Sequence, residues 1–119
     1  MTPFKILIVD DAPQDIKLVM ECLKDKYTIT AATTGEKAID IASKTQPDLI
    51  LMDISMPIMN GYDTCKAILK ERKTNIIFLS ANDSTEEILR GYAAGGIDYI
   101  IKPFHPEILH SKIEFALQR

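Results

Sequence analysis

Short apolar runs alternate with helical stripes along the whole chain. The runs are FKILIV (4–9), YTITAA (27–32), DLILM (48–52), NIIFL (75–79) and IDYII (97–101). Most are branched and nearly continuous rather than alternating, the pattern of parallel strands covered on both faces. The second run is more polar and reads as an edge strand. Between the runs the period changes to that of a helix. Ile16, Val19, Met20 and Leu23 fall at i, i+3, i+4 and i+7, one apolar stripe. Ala38, Ile41 and Ala42 make a shorter stripe, and Cys65, Ile68 and Leu69 a third.

Punctuation residues agree with this division. Asn60 is placed to cap the third helix, with Asp63 in its first turn. Ser84-Thr85-Glu86-Glu87 has the form of a capping box for the fourth, and Gly95-Gly96 stops it. Pro106 opens the fifth, whose inner face is Leu109, Ile113, Ala116 and Leu117. No linker, repeat or low-complexity segment interrupts the pattern. The expectation is a single (βα)5 domain over residues 1–119, an α/β doubly wound parallel sheet of flavodoxin-like form. Strand order is not readable from the pattern. The common five-strand choice is 2-1-3-4-5, with the first and fifth helices on one face and the other three opposite.

Composition narrows the function. At 119 residues the chain can bury a real core. Its 14 Lys and Arg against 17 Asp and Glu leave a net charge of -3, which is no basic footprint for nucleic acid. No apolar run approaches the roughly 20 residues of a membrane helix. MTPFK leads almost directly into a strand, so no signal peptide is expected. Cys22 and Cys65 fall in different helices, on opposite faces in the assumed order, and read as small buried hydrophobes. Two free thiols fit the cytoplasm.

The chemistry lies where the runs end. In such sheets ligands bind outside the carboxyl ends of the strands, where the winding reverses. The first run ends on Asp10 and Asp11, the third on Asp53, the fourth on Ser80 and the fifth on Lys102. Three carboxylates, a hydroxyl and an ammonium therefore meet at one rim. Carboxylates some 4 Å apart repel by about 4 kcal/mol at an effective dielectric near 20. Such a cluster takes up protons or binds a cation, and all-oxygen donors favour Mg²⁺. A cation plus Lys102 makes a receptor for a phosphoryl group, and an Asp carboxylate can itself be the nucleophile.

VDD (9–11), LMDISMPIMNG (51–61), LSA (79–81) and KPF (102–104) stand in the order and spacing of a known family. The chain resembles the receiver domain of two-component response regulators from Phe4 to about Leu117, and the 2-1-3-4-5 order is that family's. The resemblance implies that Asp53 is the phosphoacceptor. It implies that Asp11, Asp53 and the backbone carbonyl of Ser55 ligate Mg²⁺, or Mn²⁺ in its place, with Asp10 acting mainly through water. Lys102 would hold phosphoryl oxygens, through a cis bond to Pro103. Ser80 and Tyr99 would be the switch pair. Ser55 and Asn82 match the positions that tune self-dephosphorylation, and Pro57 and Gly61 shape the loop after Asp53.

On this reading the chain is a switch in a phosphorelay, not an enzyme with turnover of its own. Its partners would be a sensor histidine kinase or phosphotransfer protein and an output domain or target protein, with a phosphorylation-dependent homodimer as one outcome. The surface of the fourth helix, fifth strand and fifth helix would change. Kinase and output are not specified. A haloacid-dehalogenase-type phosphatase would need D-x-D after the first strand, where DDA stands. A flavin-binding module would need a Ser/Thr/Gly-rich loop where DDAPQ stands. Among lesser residues, Tyr92 reads as packing, and His105 and His110 as surface. Met56 and Met59 are divided between a docking loop and burial.

Overall fold

A computed structural model describes residues 3–118. Five strands and five helices alternate: β1 Lys5–Val9, α1 Pro13–Leu23, β2 Thr28–Ala32, α2 Gly35–Thr45, β3 Leu49–Asp53, α3 Gly61–Glu71, β4 Asn75–Ser80, α4 Thr85–Ala93, β5 Asp98–Ile101 and α5 Pro106–Leu117. The strands form one parallel sheet in the order β2-β1-β3-β4-β5. No helix among the described residues is long and apolar enough to cross a membrane.

The continuous apolar runs are explained by two cores. Side chains alternate across a strand with period two. Leu7, Val9, Ile50, Met52, Ile76 and Phe78 therefore enter the core under α2, α3 and α4. Ile6, Ile8, Leu49, Leu51, Ile77 and Leu79 enter the core under α1 and α5. Both faces of the three inner strands need apolar residues, so no polar alternation survives in the sequence. β2 lies at the edge, and only Ala32 of its five residues is buried.

Boundaries shift where a polar or partly wet residue was adjacent to a run. Phe4 is 48% exposed and outside β1. Tyr27 lies outside β2, its amide donating to the Leu23 carbonyl at the end of α1. Asp48 precedes β3, and its carboxylate accepts the Lys5 amide at 2.8 Å. Conversely, Asp53 and Ser80 are the last residues of β3 and β4 themselves.

The caps are as read at α3, where Asn60 accepts the Asp63 amide, and at α5, where Pro106 is in the first turn. At α4 only half of the capping box forms. Ser84 accepts the Glu87 amide at 3.2 Å, but the Glu87 carboxylate turns to the Tyr62 hydroxyl at 2.6 Å. The Ser84 amide is served instead by the Asn82 side chain. Gly95 follows the helix at φ +111°, a conformation that favours glycine.

Cys65 is buried, with its thiol on the Ala94 carbonyl, whereas Cys22 is only half-buried. They lie against opposite cores. Two other side chains, Tyr92 and His110, differ from expectation. Tyr92 is 46% exposed. His110 is half-buried, with its Nδ1 enclosed and without a hydrogen-bond partner. It stands three residues before Ile113, at the margin of the inward stripe. Met56 is buried and Met59 half-buried, so the loop after β3 turns both of them inward.

Candidate functional site

Register brings the acids together. β1 pairs with β3 so that Val9 is level with Met52. The next residues, Asp10 and Asp53, therefore emerge side by side from neighbouring strands. On the other side β3 pairs with β4, and Asp53 is level with Leu79, which sets Ser80 one residue further out. Asp10 and Asp53 are both buried, at 2% and 6% exposure, while Asp11 is exposed. Oxygens of Asp10, Asp11 and Asp53 lie within 4.8 Å of one another.

Lys102 enters this cluster from the end of β5, its amide donating to the Ser80 carbonyl and its bond to Pro103 cis. Its Nζ lies 2.9 Å from Asp10 Oδ2, 3.0 Å from Asp15 Oδ2 and 3.5 Å from Asp53 Oδ1. Asp10 is held twice, because its Oδ1 also accepts the Ala12 amide at 2.9 Å.

One ammonium cannot neutralise this many acids. Burial raises the Asp53 pKa, and the charge of Asp10 raises it further. Lys102 offsets only part, so the carboxyl sits at about 6 instead of 3.8. Burial works to lower the Lys102 pKa. Its bonds to Asp10 and Asp15 and the charge of Asp53 outweigh that, and the ammonium is held more firmly than usual.

The loop after β3 is tightly built. Gly61 donates to the Ile54 carbonyl, and a side chain there would meet the Asp53 backbone. Pro57 and Met59 are joined by an i to i+2 bond, a γ-turn with Ile58 at φ +71° and fully exposed. A β-branched residue rarely adopts that conformation. Ser55 is exposed on the same loop, two residues beyond Asp53.

Ser80 is buried, and its Oγ accepts the Asn82 amide at 3.1 Å. Tyr99 lies inward at 7% exposure, its hydroxyl donating to the Asn82 carbonyl at 2.9 Å. Asn82 itself is exposed. A cleft of about 250 Å³ adjoins the rim, walled by Leu18 and Val19 of α1 and by Pro103 and Phe104.

All residues expected at the rim are thus at the carboxyl ends of β1, β3, β4 and β5. His105 is exposed before α5, as expected. Sequence reasoning missed Asp15. It stands in the first turn of α1, where an acid is accounted for by the helix dipole alone. Nothing in the sequence separates it from Glu36 and Asp63, acids in the first turns of α2 and α3.

The fold and rim define a class: a doubly wound α/β domain with a buried carboxylate, two further acids and a lysine at the strand carboxyl ends. Residues 6–114 match the family model of the response regulator receiver domain. The chain belongs to that family. The nisin biosynthesis regulatory protein NisR of Lactococcus lactis is 40% identical over 117 residues, 98% of this chain and 51% of that protein. The chain spans about half the length of that relative. Among solved structures, the Vibrio cholerae chemotaxis protein CheY4 superposes with a TM-score of 0.92 at 31% identity, covering 97% of this chain and 99% of that one. The BeF3-activated DrrB receiver domain gives 0.92 at 32% identity, covering 99% and 100%. Receiver domains are switches of two-component signalling that work with histidine kinases and output domains, and they use Mg²⁺ at an acidic cluster such as this one.

Proposed function

We propose that this chain is a single receiver domain in which Asp53 accepts a phosphoryl group from a phosphohistidine on a kinase or phosphotransfer protein. The observation that carries the reading is the placement of the Asp53 carboxylate, buried at the rim beside two acids and 3.5 Å from Lys102 Nζ. A carboxylate oxygen of Asp53 attacks phosphorus. The O–P bond forms as the P–N bond breaks, and the departing imidazole nitrogen takes a proton. Lys102 compensates negative charge on the transferring oxygens.

The donor set fits a hard divalent ion, since three carboxylates offer oxygens close enough to share one. Asp11, Asp53 and the Ser55 carbonyl would hold Mg²⁺, or Mn²⁺, with Asp10 acting through water. When bound, the ion supplies positive charge against the incoming phosphoryl group. The apolar cleft beside α1 suits the approach of a donor helix. No substrate is turned over beyond the domain's own aspartyl phosphate.

The phosphoryl group carries about two negative charges, by analogy with other phosphorylated side chains. It would draw the Ser80 hydroxyl away from the Asn82 amide. Asn82 also holds Tyr99, so that movement would reach α4, β5 and α5, whose surface meets an output domain, a target protein or a second copy. Ser55 and Asn82 would tune loss of the phosphoryl group. The reading places the domain in the cytoplasm, where such kinases present their phosphohistidine. Incubation with acetyl phosphate and Mg²⁺, read by intact mass, tests it. The wild type should gain one phosphoryl group and Asp53→Asn none; equal incorporation would defeat the assignment.

A further inference from the structure

We propose that Asp15 is a positioning residue that holds Lys102 back from Asp53 and so limits how tightly the rim retains a phosphoryl group. The inference rests on the reading of Asp53 as phosphoacceptor. Three carboxylates compete for the Lys102 ammonium, and the acceptor has the longest contact: 3.5 Å, against 2.9 Å to Asp10 and 3.0 Å to Asp15. An ammonium has three N–H donors. Two of them are directed at acids that are not the acceptor.

The two competitors differ in freedom. Asp10 is buried and fixed by the Ala12 amide as well. The Asp15 side chain is 42% exposed, on the first turn of α1, and lies outside the Asp10, Asp11 and Asp53 cluster. Solvent can stabilise Asp15 when the lysine leaves, so Asp15 is the partner that gives it up. Breaking the Asp10 bond instead would leave a buried charge poorly compensated.

A phosphoryl group on Asp53 must draw the ammonium toward itself. Asp15 opposes that twice, by holding the ammonium and by adding negative charge nearby. Removing the charge of Asp15 therefore tightens phosphoryl retention. The same charge attracts a divalent cation, so its removal weakens Mg²⁺ binding. The two effects have opposite signs and separate when Mg²⁺ is saturating.

Beryllofluoride, the group in the activated DrrB receiver, is the probe. It is titrated at saturating Mg²⁺ into the wild type, Asp15→Asn and Asp15→Ser, with binding followed by amide NMR shifts. Both variants should bind about three- to tenfold more tightly, the tenfold end corresponding to about 1.4 kcal/mol. Without the probe, the Lys102 ammonium resonance should broaden in the variants through faster proton exchange. A merely structural role for Asp15 would loosen the rim and weaken binding, the opposite sign. Wild-type binding with equal or weaker binding by both variants overturns the role of Asp15 alone. A wild type that does not bind beryllofluoride overturns the phosphoacceptor reading and this inference together.

Discussion

Burying Asp53 among like charges has a thermodynamic consequence that is measurable without phosphorylation. Its pKa is about 6 in the folded, metal-free domain, against 3.8 as the ordinary value, because of burial first and the charge of Asp10 second. Between those two pH values the folded chain binds a proton that the unfolded chain has released. Raising the pH through this window therefore lowers stability. A shift of about two units at about 1.4 kcal/mol per unit gives a cost near 3 kcal/mol at neutral pH, an upper figure. Asp53→Asn removes the charge but retains a polar group to be desolvated, so the net gain should be about 1–3 kcal/mol. Urea unfolding in EDTA at pH 7.5 should show the variant's midpoint higher by about 1 M, for a slope of about 1–3 kcal/mol per M. At pH 4.5 the carboxyl is already protonated when folded, and most of the advantage should vanish. Saturating Mg²⁺ should also narrow the gap by stabilising only the wild type strongly. An Asn variant no more stable than wild type at pH 7.5, or one equally advantaged at both pH values, would refute the electrostatic account.

Two further outcomes follow from the loop after β3 and the contact between α3 and α4. In Gly61→Ala the new methyl would collide with the Asp53 carbonyl oxygen and lie 2.8 Å from Ile54 Cα, both backbone. It should destabilise by about 2–4 kcal/mol in urea unfolding and slow phosphoryl incorporation by displacing Asp53. Tyr62→Phe removes the 2.6 Å bond to the Glu87 carboxylate and the 3.0 Å bond to the Glu87 carbonyl, and should cost about 1–3 kcal/mol by the same measurement. Stability unchanged within error in that variant would show that Glu87 finds equivalent solvation elsewhere.

The sheet was legible because burial on both faces leaves an unbroken apolar run, and each inner strand has one. β2 was harder to bound, since an edge strand with one buried residue need not carry that signal. The rim was legible for a different reason. A charged residue directly after such a run is costly unless it has a use, and three runs end this way, with the Ser80 hydroxyl after another. Asp15 was not legible, because an acid in a first helical turn is already explained by the dipole. Only the three-dimensional path of Lys102 distinguishes it from Glu36 or Asp63 in the same setting. The half-formed cap of α4 shows the same limit. Ser84 and Glu87 have the spacing of a reciprocal pair, but a buried Tyr62 hydroxyl needs an acceptor and takes Glu87. Tertiary demand overrode a local motif.

The period of two that builds the cores also divides the labour at the rim. Met52 faces the core under α2 to α4, so the next residue, Asp53, turns toward α1 and α5. There it lies beside Asp10 and 3.5 Å from Lys102, whose ammonium is also held by Asp15. Leu79 faces the α1 and α5 core, so Ser80 turns the other way, toward α4. From Ser80 the contacts run to Asn82, from Asn82 to the Tyr99 hydroxyl, and from Tyr99 to Phe78 with ring centroids 6.5 Å apart. Phe78 lies against Gly91 of α4 and 5.5 Å from Tyr62, itself bonded to Glu87. Asp53 and Ser80 end adjacent strands, yet one faces the charged cluster and the other faces the contacts that lead to α4. A single residue of register separates the two, which is why a one-residue slip of β4 against β3 would leave the acids in place and disconnect them from α4.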